Sequence, residues 1–280
     1  MIVASAQSYV SLFTLASAAA YLLAATLTHV REHIGRSGAV ALAIAWGCQA
    51  VALWLGLTQP PRFGFGPALS MTAWWALLVY AVESRTYSLL QLRWRLALVG
   101  AVTVMLAWLF PGNELHPHAS EWLPLHLMLG MASYGLLAVA VLHAWLMGRA
   151  ERHMRLGGGL LQPTEGNGQH GQLPLMTLER LTFRFVLLAF ILLTVTIAQG
   201  WIFGEQLYGG AAVGSLRWNH KTVFSVLSWL VLAVLLAGRY RFGWRGQRSV
   251  RMIYLGGILL LLAYVGSSFV LEVLLHRPAE

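Results

Sequence analysis

Eight apolar runs of about twenty residues each dominate this chain, and the surroundings they require leave few folds open. They lie near residues 5–28, 38–57, 65–83, 93–110, 122–147, 182–204, 220–238 and 251–275. A run of this length crosses a hydrocarbon layer of ~30 Å when it is helical, at 1.5 Å per residue. Lipid offers no water to backbone N–H and C=O groups, so each span must bond them internally, as a helix does. The sequence therefore predicts an all-α polytopic membrane protein of eight transmembrane helices. Residues 1–280 form a single integral membrane domain, with helices one to five at 1–147, a cytoplasmic linker at 148–181 and helices six to eight at 182–280. Composition agrees, with 58% hydrophobic residues, 10% charged and 12 Trp. No Lys or Arg precedes the first run, which is too long for the apolar core of a cleavable signal, so it reads as a permanent helix.

The net charge of +9 would suggest a nucleic-acid partner in a soluble protein. Here the cations sit in short loops between apolar runs, where they act as topology determinants, and no nucleic acid is implied. Alternate loops differ sharply in charge. Fifteen of the 19 Lys and Arg, among them Arg31, Arg85, Arg152, Arg180 and Arg245, fall on one side; only Arg62, Arg217, Lys221 and Arg277 fall on the other. The basic side is cytoplasmic by the positive-inside bias, and an even helix count then puts both termini outside, on the periplasmic side of a bacterial inner membrane.

Cys48 is the one cysteine, which removes an intrachain disulfide, a CxxC motif and a thiolate metal site from consideration. The long inward loop, 148–181, carries Gly157-Gly158-Gly159 and a polar stretch ending near Gln172, and reads as a linker. No convincing internal repeat is visible, which weakens an inverted-repeat transporter reading.

This orientation gathers His116, His118, His126, His220 and His276 at the outward face, a set able to ligate a metal or haem. His116 and His118 stand in a loop, where a solvated role is enough to explain them. His126 differs. It lies about one turn inside the fifth apolar run, where a polar group is costly and usually faces the bundle interior. Its alternatives are a ligand role and a hydrogen bond to a neighbouring helix. His276 follows the last run, after Glu272 and before Arg277, and is either an interfacial residue or a ligand. Two imidazoles from different helices can fill both axial positions of a haem iron. Glu205 and Glu272 are the acids nearest these histidines in sequence and could orient an imidazole through its second nitrogen.

The loop before the seventh run reads Trp201-Ile202-Phe203-Gly204-Glu205, then Arg217-Trp218-Asn219-His220-Lys221. Aromatic faces suit a large apolar macrocycle, and Arg217 with Lys221 suits its carboxylates. An aromatic belt with basic anchors accounts for the same residues, and their spacing does not separate the two readings.

Trp218-Asn219-His220-Lys221 followed by Ser228-Trp229 and Gly243-Trp244-Arg245-Gly246 resembles the tryptophan-rich region and following helix of the CcsA/CcmC cytochrome c assembly superfamily. Trp122-Leu123-Pro124-Leu125-His126 with Ser133-Tyr134 is similar to the family's helix bearing its first outward histidine, and His276 falls where the second follows the last helix. Gly64-Phe65-Gly66-Pro67-Ala68-Leu69-Ser70 and Thr177-Leu178-Glu179-Arg180-Leu181-Thr182-Phe183-Arg184 look closer still to the HemX/YpjD-like inner-membrane branch. The resemblance covers most of the chain from about residue 64 onward. It implies haem b as cofactor, His126 and His276 as its axial ligands, and His220, Trp122, Trp201, Trp218, Arg217 and Lys221 around it. Cytochrome c assembly proteins or apocytochrome c are the implied partners.

The chain also departs from the family. The full signature Trp-Gly-x-x-Trp-x-Trp-Asp-Pro-Lys-Glu is reduced here to Leu216-Arg217-Trp218-Asn219-His220-Lys221-Thr222, lacking one Trp, the Asp, the Pro and the Glu. Haem lyase activity therefore does not carry over, whereas haem binding and handling do. No nucleophile motif, phosphate loop or carboxylate pair supports another enzyme.

Elsewhere, His29 and His33 share a helical face, but beside Arg31, Glu32 and Arg36 they read as a solvated helix end. His143 either binds a second haem or pairs with a neighbour; His153 and His170 read as loop residues. Gly200 and Gly204 fit a small-residue helix contact. The readings that remain open are a haem-handling protein, a transporter using the same histidines for proton or ion coupling, and a cofactor-free membrane scaffold.

Overall fold

The computed structural model describes residues 2–30, 35–58, 61–84, 93–115, 122–155, 175–204 and 219–271. Its long helices are α1 (Ile2–Val30), α2 (Gly35–Thr58), α3 (Phe65–Glu83), α4 (Arg93–Leu109), α5 (Leu123–Arg155), α6 (Leu175–Ile202), α7 (His220–Phe242) and α8 (Gln247–Leu261). The last continues through a π turn, Leu262–Gly266, into Ser267–Phe269. Seven of these helices, with Gln247–Phe269 taken as one, are long and apolar enough to cross a membrane. The eighth, α4, has 17 residues and a length of about 25 Å, just short of a full hydrocarbon core. All eight expected spans are thus helices of this all-α membrane protein.

Helical structure also enters the stretch 148–181 from both sides. α5 runs on to Arg155, which makes His153 a helical residue instead of a loop residue, and α6 begins at Leu175. The early start of α6 carries Glu179, whose carboxylate lies 2.6 Å from Arg239 Nη1 on α7. The Arg239 guanidinium in turn sits 3.6 Å from the Phe183 ring centroid. This ion pair and cation–π contact tie the inward ends of α6 and α7 together.

Three core clusters hold the helices. α1, α2 and α4 pack through small residues, Ala18, Ala24, Ala25, Ala41, Ala45, Ala97 and Ala101, around Tyr21. Small side chains let helix backbones approach where lipid supplies no hydrophobic drive between helices. Polar side chains then link them. Ser17 donates to the Ala45 carbonyl at 2.9 Å, Tyr21 donates to Gln49 Oε1 at 2.6 Å, and Gln49 Nε2 donates to Ser70 O and Oγ at 3.0 and 2.9 Å. Trp46 and Trp74 stack with centroids 4.5 Å apart, each indole N–H donating to the other's backbone carbonyl. The second cluster joins α5, α6, α7 and α8 around Leu137, Val186, Leu232 and Ile253.

A third cluster bridges these halves at the outward side, where Phe63, Phe65 and Met71 meet Leu123, Leu127 and Met131 of α5 and Val265 of the π turn. Two short strands, β1 (Arg62–Phe63) and β2 (Asn113–Glu114), pair antiparallel above it, with Arg62 opposite Glu114 and Phe63 opposite Asn113. They are a small β element that the apolar periodicity does not announce. The motif beginning at Gly64 gains a physical reason here. A Cβ on Gly66 would lie 2.7 Å from the Leu106 carbonyl oxygen and would also strike the Phe110 carbonyl, so α4 crosses α3 directly over this glycine.

Candidate functional site

His126 sits in the first turn of α5, its backbone N–H donating to the Trp122 carbonyl at 3.0 Å. The helix begins at Leu123, a fully packed residue that anchors this turn in the bridging cluster. Its imidazole turns toward α6, where Gln199 is its hydrogen-bonding neighbour. A methyl group on Gly200 would come 3.8 Å from His126 Cε1, so α6 passes the ring with bare backbone. Gly200 thus lies beside the candidate ligand, whereas a Cβ on Gly204 would meet nothing within 4 Å among the described residues, so the expected two-glycine helix contact does not form there.

His220 is the first residue of α7, exposed, immediately after an Asn219 cap whose Oδ1 accepts from Thr222 N–H at 3.0 Å. Asn is among the strongest N-cap residues, which fixes where the helix starts. Lys221 follows and places its ammonium 5.1 Å from the centroid of the Tyr264 ring. Tyr264 lies in the π turn of the last helix and its backbone is hydrogen-bonded to the buried Tyr134 hydroxyl of α5. Such π turns recur at functional sites because they redirect a helix by one residue. Here the turn joins α5, the last helix and the cation at the start of α7.

Trp122 and Trp201 are 70% and 66% exposed at the outward ends of α5 and α6, available to cover an apolar ligand or to lie in the lipid interface. Trp218, Arg217, His276, His116, His118, Glu205 and Glu272 lie outside the described residues. Among the described residues no group of three His, Cys, Asp or Glu is arranged to hold a metal ion. The donors that are described fit a haem in kind: one imidazole held between two helices, a second histidine at a helix start, a cation beside it and two exposed indoles.

A second polar pair, not foreseen as such, lies near the inward ends of α3 and α5. His143 Nε2 is 3.2 Å from Glu83 Oε2, with side-chain exposures of 2% and 5%. Sequence reading left His143 with two possibilities; the structure puts a carboxylate against it. Glu83 itself went unremarked because it ends an apolar run, where an acid reads as a boundary. A Glu at a span end and a His within a later span are each visible in the sequence, but only the packing of α3 against α5 brings them together. His143 also packs on Phe185, with ring centroids 5.5 Å apart. His29, for its part, lies 5.2 Å from the Trp94 ring, and His33 lies outside the described residues.

A family model for cytochrome C assembly protein matches residues 34–275. The inner membrane protein YpjD of Escherichia coli is 27% identical over 250 residues, 85% of this chain and 88% of its own. The cytochrome c biogenesis protein CcsA of Parasynechococcus marenigrum is 28% identical over 165 residues, 52% of each chain. CcsA of Trieres chinensis is 24% identical over 252 residues, 77% of each. No solved structure matches the chain. With the family model spanning nearly every transmembrane helix, this polytopic membrane protein belongs to the cytochrome c assembly protein family.

Proposed function

We propose that this protein holds haem at the outward face of the inner membrane and hands it on, in cytochrome c assembly or in haem homeostasis, without itself attaching haem to a cytochrome. Its family and the naming of its relatives as cytochrome c biogenesis and inner membrane proteins support the reading. One structural observation carries it: the His126 imidazole stands between α5 and α6 at the outward end, beside the bare backbone of Gly200. His126 and His276 would be the axial ligands of a haem b, with His220 in reserve. Trp122, Trp201 and Trp218 would cover the ring, while Arg217 and Lys221 would pair with the propionates. A bound haem supplies a redox-active iron and a cargo for an apocytochrome or another assembly protein. The chain's residues supply neutral nitrogen donors, aromatic cover and positive charge.

The absorption spectrum of the purified protein in detergent, with and without added haem, tests this. A Soret band is expected in the parent and its loss in both His126→Ala and His276→Ala. Unchanged uptake in both variants would reject the ligand pair, and no uptake by the parent would reject the haem reading. The buried Glu83–His143 pair favours the rival reading, a transporter with proton coupling, since ionisable groups within spans often mark proton paths. That reading expects proton-coupled flux in vesicles, lost on replacing Glu83.

A further inference from the structure

A cavity of about 150 Å³ lies among the outward halves of α1, α2, α3 and α4. Its walls are apolar, formed chiefly by Leu53, Leu57, Met71, Val104 and Trp108. From Leu57 down to Gln49 along α2 it is about 12 Å deep. Among the described residues no histidine lines it. An empty apolar void of this size is destabilising, and apolar walls do not hold water well.

The two ends of the cavity make opposite demands. At the floor, both hydrogens of the Gln49 amide are spent on Ser70 and its oxygen accepts from Tyr21, so nothing there calls for a polar group. At the roof, Arg62 Nε is a buried donor with no acceptor among the described residues. Arg62 Nη2 does reach Glu114 at 2.6 Å, but the Glu114 side chain is 64% exposed, and such a surface pair is weak and yields readily to a better acceptor. Trp108 both lines the cavity and is 44% exposed, which turns one wall toward the lipid. An apolar shaft capped by an unmet cationic donor matches an amphiphile whose oxygen-bearing head sits outermost.

We propose that this cavity binds one acyl chain carrying an anionic oxygen head, with the head on Arg62 and the chain descending to Gln49. The head is the carboxylate of a fatty acid or the phosphate of a phospholipid. The site does not include His126 or His220 and does not depend on haem binding.

Saturation binding of radiolabelled oleate and of radiolabelled dioleoyl phosphatidylglycerol to the full chain in detergent tests the proposal and separates the two sources. Oleyl alcohol serves as the uncharged control. Gly56 lines the cavity, and a Cβ there meets nothing within 4 Å, so Gly56→Leu places an isobutyl group in the shaft from an unobstructed Cβ. It should weaken binding at least about tenfold, since each methylene displaced is worth roughly a factor of four. Arg62→Gln should weaken the anionic probes roughly fivefold, by the loss of about one hydrogen bond, and leave oleyl alcohol unchanged. Failure of both anionic probes to saturate, or binding by Gly56→Leu equal to the parent, overturns the proposal. So does equal loss of oleate and oleyl alcohol in Arg62→Gln. The Soret band of haem-loaded protein, if present, should be the same in Gly56→Leu and parent.

Discussion

The buried Glu83–His143 contact can be tested by a double-mutant cycle. At 3.2 Å and an effective dielectric of about 20, opposite charges attract by about 5 kcal/mol, most of which desolvation consumes. The intact pair therefore adds little net stability. Removing one partner is another matter, because the survivor keeps its desolvation and loses its compensation. His143→Leu strands a carboxyl group that is 5% exposed, at a cost of about 3–5 kcal/mol. Glu83→Leu leaves the imidazole without its partner and should cost less, about 1–2 kcal/mol. In the double variant both polar groups are gone and two leucines fill the space, so stability should return to within about 1 kcal/mol of the parent. The apparent melting midpoint in detergent, followed by tryptophan fluorescence, reads this out at about 2–4 °C per kcal/mol. The order expected is His143→Leu lowest, Glu83→Leu next, and the double variant near the parent. A double variant that melts at the sum of the two single losses would refute the coupling, as would a His143→Leu protein as stable as the parent.

Two further outcomes follow from the packing and the ligand chemistry. A Cβ on Gly135 of α5 would lie 2.6 Å from Trp75 Cβ and 3.0 Å from the Thr72 carbonyl oxygen of α3. Gly135→Ala should thus force the two helices apart and lower the melting midpoint by roughly 4–8 °C, whereas Gly47→Ala, with open space around it, should leave it unchanged or raise it. Because iron takes neutral imidazole, haem retention should fall as the buffer is acidified and recover on return to neutral pH, followed at the Soret maximum. Retention that rises with acidification would contradict histidine ligation.

Much of the site's outer frame was legible from residue order. His126 could be placed one turn inside the fifth span because its neighbours on both sides are apolar, and depth along a helix is a local property. The start of the seventh span at residue 220 was likewise local, and the structure adds its reason, an Asn219 cap whose side chain accepts from Thr222 N–H. The partner of His143 could not be found this way, since four spans end near the inward face and only the packing of α3 against α5 selects Glu83. The extension of α6 back to Leu175 was hidden for a similar reason: Glu179 looks like loop charge until Arg239 of α7 lies 2.6 Å away.

The amino-acid sequence by itself determined what the membrane dictates locally: the number of spans, their helical state and, through the distribution of arginine, which face looks out. These depend on transfer of each segment into lipid and on loop charge, neither of which requires knowing a neighbour. Tertiary structure decided which polar groups meet and where space remains. The Gln49–Ser70–Tyr21 network, the Glu83–His143 pair, the bare face of Gly200 beside His126 and the shaft beneath Arg62 each need at least two helices from distant parts of the chain. In lipid the hydrophobic effect does not choose among neighbouring helices, so that choice falls to small residues, close backbone approach and hydrogen bonds, which act only when the helices are side by side.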